Sequence, residues 1–540
     1  MTANSIILPI TAAFVYYGLY HIIPSVYRLF TNPLRHLGGP TNPSFFLGNF
    51  KQMMDDPPLT EKWREEYGSN FMFKGLFSMS QLYTSDIKAV SHILNDTSVY
   101  PRSSHTRGSR RLLVGDGLLS LEFEDHKRQR RILNQAFSTG QIRLMTEGFL
   151  EQAILLRDMW RLQLISGNTV TCIDVSPWLR RTTLNMLGLA GFNYHFDAHQ
   201  TKGKPNELDQ AFTALLHSPD ADRFAVFRLA KAIVPILGFL SLPGTQVVES
   251  AREKMLAIAS QIVSESKAAI KVSEGQKILT GQKDLLSVLL KSNLSADLPE
   301  SQRLSDAEVI SQIPTFFLAG HETTSSAVSW ALHALSLYPA LQSKLRDELF
   351  TISTENPTME ELNSLTYLES VVREVMRVHS PVKFVDRVAT RDDVLPLAKP
   401  YIDKQGRAHD NIPIRKGQIM YISLPAVNRD KDIWGDDAEE FKPERWENIP
   451  EAVQQIPGVW ANVLSFLGGP HNCIGYRFSL AEIKVLLFTL IRAFEFEPAT
   501  TKGIIVPGSV GSLQPPRLLT GTETSSSLPL MMLPYDPQGN

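Results

Sequence analysis

Apolar residues recur with a period near 3.6 along most of the middle of the chain. That spacing predicts helices over 124–138, 141–165, 206–218, 246–272, 305–337, 339–351 and 367–379. A further amphipathic helix is predicted over 476–494. Strand-like stretches are short, such as 70–77 and 418–424. Residues 278–305 read as a surface connector plus a short helix. The stretch 520–540 is turn-rich, with a frayed tail beyond a final strand. No internal repeat interrupts this outline, which is a mainly α fold with a minor β-sheet component.

The first 27 residues follow a different pattern, with no Lys, Arg, Asp or Glu. As a helix, Ile6 to Ile23 would be about 27 Å long, close to the ~30 Å hydrocarbon core of a bilayer. The tyrosines and His21 gather at its far end, and the first cations, Arg28 and Arg35, follow. The expectation is a single-pass anchor in the endoplasmic reticulum membrane with a cytosolic body. A cleaved signal peptide is the alternative, but no basic n-region or clear cleavage site supports it. Residues 1–30 are therefore assigned to the anchor, 31–50 to a Pro/Gly-rich hinge, 51–530 to a catalytic domain and 531–540 to a tail. A second apolar stretch, 225–244, reads as a buried helix pair or as a patch dipping into the bilayer.

Composition narrows the function. The chain has 540 residues, with 54 Lys plus Arg against 56 Asp plus Glu. That balance lacks the basic excess of a nucleic-acid binder, so no nucleic-acid partner is expected. The only two cysteines, Cys172 and Cys473, exclude a disulfide scaffold and a multi-cysteine metal cluster. A single thiolate ligand remains open, and Cys172 has no functional reading.

The strongest motif is Phe466-Leu-Gly-Gly469-Pro-His471-Asn-Cys473-Ile-Gly475, just before the 476–494 helix. A cysteine at a helix N-terminus meets free N–H groups and the positive end of the dipole, which favour a thiolate. Gly469 permits a tight turn, Gly475 lets a flat macrocycle approach, and Phe466 can pack beneath a metal. The physical reading is one axial thiolate on haem iron. This loop resembles the cytochrome P450 family motif F-x-x-G-x-R-x-C-x-G, and the resemblance extends over roughly 35–530. One position departs: the family's arginine, a haem-propionate partner, is His471 here.

Further motifs carry the resemblance. Glu374 and Arg377, three apart on one helix, with Arg445 in Phe441-Lys-Pro-Glu-Arg445-Trp446, resemble the family's buried ion-pair triad. Ala319-Gly320-His321-Glu322-Thr323-Thr324 lies in the 305–337 helix, which Pro314 is expected to kink. By resemblance Thr323 holds dioxygen by a hydrogen bond and Glu322 relays protons, while Gly320 leaves room for dioxygen and substrate. His126 stands where the family has tryptophan, four residues before Arg130, which with Arg387 matches the propionate arginines. Lys127, Arg128 and Arg131 read as a solvated face or a docking patch for an acidic electron donor.

The resemblance implies haem b and a membrane-bound monooxygenase of fungal style. It would insert one atom of O2 into a small lipophilic substrate, with electrons from a separate NADPH–cytochrome reductase, since the stretch after Cys473 is too short for flavin domains. Secondary metabolism, a terpenoid for example, is the favoured setting, and membrane lipid is an expected partner. The pocket walls are expected from 100–120, 208–240, the Phe316–Thr323 face and Pro381–Val385, with Lys383 reaching a polar substituent or pointing to solvent. The rivals are a haem-thiolate isomerase or dehydratase that needs no O2, and a non-catalytic haem-binding membrane protein. The intact Glu322-Thr323 pair argues against both.

Overall fold

The computed structural model describes residues 31–536 except 57, 167–170, 197–198, 200–206, 208–209, 212–243, 276–283, 295–298, 300–302, 501–503, 510 and 520–525. The expected anchor, most of the 206–218 helix and nearly all of the 225–244 patch lie outside the described residues. Among the described residues, no helix is long and apolar enough to cross a membrane.

The chain divides into two units. The smaller comprises Met1–Tyr100 and Asp386–Ile422. Its strands Asn70–Lys74 and Ser80–Thr84 pair antiparallel, with Phe71 opposite Tyr83. Ile419–Ser423 joins in parallel, and Phe384–Val388 completes the four-stranded order. The expected strand over 70–77 stops at Lys74 because Phe77 and Ser78 take left-handed φ values of 53° and 56°. A separate hairpin, Asp393–Ile402 with Ala408–Ile414, alternates buried and exposed positions in part. Asp86 caps the helix Ile87–Asn95 and also accepts the Ala398 N–H at 2.9 Å, tying that hairpin to the helix.

The larger unit, Pro101–Val385 with Ser423–Asn540, holds the main hydrophobic core. The predicted helices form as Phe123–Ala136, Thr139–Ser166, Thr245–Gly275, Asp306–Leu337, Pro339–Phe350, Thr366–Val378 and Tyr476–Ala493. The core is built where Asp306–Leu337 packs on Val175–Met186 and Tyr476–Ala493 packs on Thr139–Ser166. Ser305 and Glu308 form a capping box that fixes the start of the long helix Asp306–Leu337. Pro314 lies inside that helix without ending it. Trp330, on the same helix, donates from Nε1 to the Gln514 carbonyl at 2.8 Å and stacks on His379 at 4.5 Å. A three-stranded antiparallel sheet, Thr171–Asp174, Pro529–Pro534 and Phe494–Pro498, closes the C-terminal side of this unit.

Candidate active site

The loop before Tyr476–Ala493 closes on itself. Cys473 N–H donates to the Phe466 carbonyl at 2.8 Å and Asn472 N–H to the Gly469 carbonyl at 3.1 Å. Gly469 takes a φ of 67°, a region glycine enters freely. At Gly468 a Cβ would lie 1.6 Å from the Pro457 carbonyl oxygen, so the loop admits no side chain there. Phe466 is buried between Trp460 and Tyr476, with ring centroids 5.7 and 6.0 Å away.

The Cys473 thiol is pushed up by burial, while the Gly475 N–H on its sulfur and the Arg130 guanidinium pull it down. The thiolate is thus stabilised locally in a site that disfavours charge, and a cation bound to sulfur would replace the proton.

Arg130 lies on the helix Phe123–Ala136. It reaches Asn472 with both terminal nitrogens, the carbonyl at 2.5 Å and Oδ1 at 2.6 Å, and Asn134 with Nε at 2.9 Å. One turn earlier, the buried His126 meets the His471 ring edge-on at 4.3 Å. The structure therefore brings Arg130, His126, His471 and Cys473 together. It adds a partner that the sequence reading missed. The buried carboxylate Glu122 lies 3.3 Å from His471 Nε2, and its other oxygen lies 3.2 Å from Arg102. Glu122 precedes the helix with no local spacing toward Arg102 or His471, so only the tertiary fold exposes the pairing. Arg387 is fully buried in the smaller unit, where its guanidinium donates to the Asp386 carbonyl at 2.8 Å.

On the long helix, side chains draw on three carbonyls of one stretch. The Thr323 hydroxyl donates to the Ala319 carbonyl at 2.7 Å, and Thr183 donates to the His321 carbonyl at 2.9 Å. His321 Nδ1 contacts the Phe317 carbonyl. Such bonds compete with the helix's own ladder, as expected where a polar run crosses an apolar helix. Glu322 is buried beside His321, 3.3 Å from its Nε2. At Gly320 a Cβ would meet Leu187 at 3.0 Å, so the glycine also lets this helix pack closely on the π-helical turn Leu187–Gly191. Thr324 meets Ser479 at 3.0 Å, beside the fully buried Glu482, whose carboxyl is pushed well up by burial and held back only by the Thr324 hydroxyl.

The expected pocket walls separate into two groups. Leu318 packs against Leu113, Val114 and Val248, whereas Phe317 turns into the core against Phe192 and Phe196. Lys383 is buried rather than pointing to solvent.

The ion-pair triad forms as a denser cluster than its spacing suggested. Arg377 grips Glu374 with two bonds, at 2.9 and 2.8 Å, and Arg445 Nε reaches the same carboxylate at 3.4 Å. Trp446 Nε1 and the Lys442 N–H also donate to Glu374. Arg445 makes its shortest contact, 2.5 Å, with Asp437, which the sequence reading did not single out. Asp437 lies eight residues before Arg445 in an irregular segment, where no helical or strand period relates the two.

A family model described as Cytochrome P450 matches residues 37–520. Cytochrome P450 monooxygenase 205 of Postia placenta is 44% identical over 99% of both chains. Cytochrome P450 monooxygenase 128 of the same fungus is 41% identical over 98% of both. The ganoderic acid synthetase CYP5150L8 of Ganoderma lucidum is 35% identical over 90% of this chain and 91% of its own.

The chain belongs to the cytochrome P450 family.

As a cytochrome P450 it is an oxidoreductase of the monooxygenase kind, carries haem b and has the family's mainly helical fold with small sheets. The residues present fit that cofactor. Ala319, Gly320 and Thr323 are partly accessible while His321, Glu322 and Thr324 are buried, so the long P450 helix turns one stripe toward open space. Cys473, Ile474 and Gly475 are also partly accessible, between the buried His471 and Phe478. A Cβ at Gly475 would meet only Phe137, at an ordinary 3.6 Å, so protein packing alone does not demand this glycine.

Proposed function

We propose that this P450 is a membrane-anchored monooxygenase that hydroxylates or epoxidises a lipophilic secondary metabolite, with electrons from a separate NADPH–cytochrome reductase. The observation that carries the reading is Cys473. It is the one cysteine in the larger unit's core loop, with the Gly475 N–H on its sulfur and Arg130 beside it. Cys473 would hold the iron, and Arg130, His126 and His471 would meet the propionates. Haem supplies the activation of O2 and the transfer of one oxygen atom to substrate.

The chain's own residues manage protons and fit. Thr323 has its hydroxyl on the Ala319 carbonyl, and rotation about χ1 would free that O–H to donate to dioxygen. Glu322 lies one residue away, buried with His321, and would resupply protons through water. Leu318, with Leu113, Val114 and Val248, offers an apolar wall suited to a lipophilic molecule. A terpenoid is the favoured substrate class because one relative is named a ganoderic acid synthetase. The uncharged residues 1–27 support the anchor in the endoplasmic reticulum membrane, with 31–50 as hinge and 51–530 as catalytic domain.

The test is product analysis under 18O2 with the reductase and candidate terpenoids. One 18O atom in the product, with NADPH consumed, supports the proposal. A product formed without NADPH and without 18O supports a rearranging enzyme instead.

A further inference from the structure

The larger unit holds a cleft of about 320 Å³ that the monooxygenase chemistry does not use. It lies among the helix Thr139–Ser166, the helix Val175–Met186 with its π-helical turn Leu187–Gly191, and the stretch 195–199. Its volume is near the lower end of small-molecule sites, which run from about 300 to 1,000 Å³. Part of the lining is apolar and meets water. Leu155 is 42% exposed, and Met159 and Leu189 are partly exposed. The rest includes the buried polar side chains of Gln152, Asn185 and His199.

His199 asks most for a partner. Its ring stacks on Trp178, with centroids 5.5 Å apart and planes 20° apart, and its Nε2 lies 2.9 Å from the Thr182 hydroxyl. That hydroxyl has one proton, which it donates to the Trp178 carbonyl at 2.9 Å. The Thr182 oxygen therefore accepts from His199 Nε2–H. Burial pushes the imidazole down to about 4, with repulsion from Arg181 adding to the effect, so the ring is neutral at pH 7 and carries a single N–H. Nδ1 is left as a bare acceptor. It is buried and has no hydrogen-bond partner among the described residues. A buried polar atom in this state calls for a donor from outside the chain.

That donor must be uncharged. A carboxylate has no proton to give. An ammonium would meet the same burial and the same Arg181 that keep the imidazole neutral. A hydroxyl would donate to Nδ1 and accept from an amide N–H of Gln152, while an apolar body covered Leu155, Met159 and Leu189.

The cleft also lies close behind the Ala319–Thr324 stretch. Leu189 lines it, and Leu187 of the same π-helical turn meets the Gly320 position. Thr182 holds His199, and its neighbour Thr183 donates to the His321 carbonyl at 2.9 Å. Turns of this π-helical kind are frequent at functional sites.

We infer that this cleft binds a small neutral lipophilic alcohol, with its hydroxyl between His199 Nδ1 and Gln152 and its apolar body on Leu155, Met159 and Leu189. The site shares no residue with the one around Cys473 and Thr323. It goes beyond the monooxygenase reading and needs no turnover to be tested.

The test is equilibrium dialysis of radiolabelled perillyl alcohol against the full-length holoprotein, with the haem site filled by clotrimazole, an azole that coordinates iron. Protein-free micelles report partition into detergent. Limonene has the same carbon skeleton without the hydroxyl, and perillic acid and perillylamine carry a carboxylate and an ammonium on it. The expected result is one bound alcohol per haem in the presence of the azole. Leu155→Arg and His199→Phe should each weaken binding by about tenfold or more, and the three analogues should compete about tenfold less well. Leu155 is exposed, so its variant keeps the test valid if His199→Phe loses its haem spectrum.

No binding beyond micelle partition once the azole is bound overturns the inference, since water alone would then partner His199. Binding that neither substitution weakens places the alcohol elsewhere and also overturns it. An analogue that competes as well as the alcohol overturns the assigned ligand class.

Discussion

Phe123, the first residue of the helix that carries His126 and Arg130, takes a φ of 52° and is 53% exposed. A strained residue of this kind costs on the order of 1–3 kcal/mol. Phe123→Gly should therefore raise stability by about 1 kcal/mol in urea unfolding. A loss of stability would mean that the exposed ring does more than the strain costs. Thr323→Ala removes a hydroxyl whose partner among the described residues is the Ala319 carbonyl, so the fold and haem content should persist. With a reductase, that variant should consume NADPH but yield less oxygenated product per NADPH. Unchanged yield per NADPH would make Thr323 structural. At this scale the sequence was legible where it sets placement within a local segment, as for the tight turn at Gly469 and the loop position of Cys473. It was not legible for Glu122, because a carboxylate's partner is set by the tertiary fold. His471 is the instructive case. Its position in the loop was readable, but its acidic neighbour was not.

At the scale of elements, the helix Thr366–Val378 is fixed to the segment around 437–446 by a cluster of charges centred on the fully buried Glu374. Removing one member leaves a buried charge without its partner, which costs roughly 3–5 kcal/mol. Arg377→Ala should accordingly give little folded protein, and Glu374→Gln a lower thermal midpoint with residual haem binding. The pH dependence follows from Asp437. Hydrogen bonding from Arg445 lowers its carboxyl from the ordinary 3.8 to about 2, with Lys442 adding to the effect against partial desolvation. A depressed carboxyl contributes stability above its unfolded pKa and loses it as the pH falls through the folded one. This contribution should be complete above about pH 4 and fade toward pH 2. Asp437→Asn should lower the urea midpoint at pH 7 and flatten its fall below pH 4; an unchanged acid slope would assign acid sensitivity to other carboxylates. The main helices were legible because their apolar stripes are long and regular. The hairpin Asp393–Ile402 with Ala408–Ile414 was not, since its alternation is imperfect and its strands carry Pro396, Pro400 and Pro413.

Across the whole molecule, the two ends of the account meet at one atom. The larger unit's helices and the 466–475 loop position the Cys473 sulfur, and the family's haem chemistry depends on such a thiolate. The division into two units could not be read from the sequence, because the smaller one joins residues 31–100 to 386–422, segments far apart in the chain. The family could be read, because ten consecutive residues, 466–475, carry its motif. The most direct test is the ferrous carbon monoxide difference spectrum of the full-length protein and of two variants. The wild type and Cys172→Ser should both give the red-shifted band of a thiolate-ligated haem, and Cys473→Ser should lose it. A red-shifted band that survives in Cys473→Ser would contradict the account at its centre.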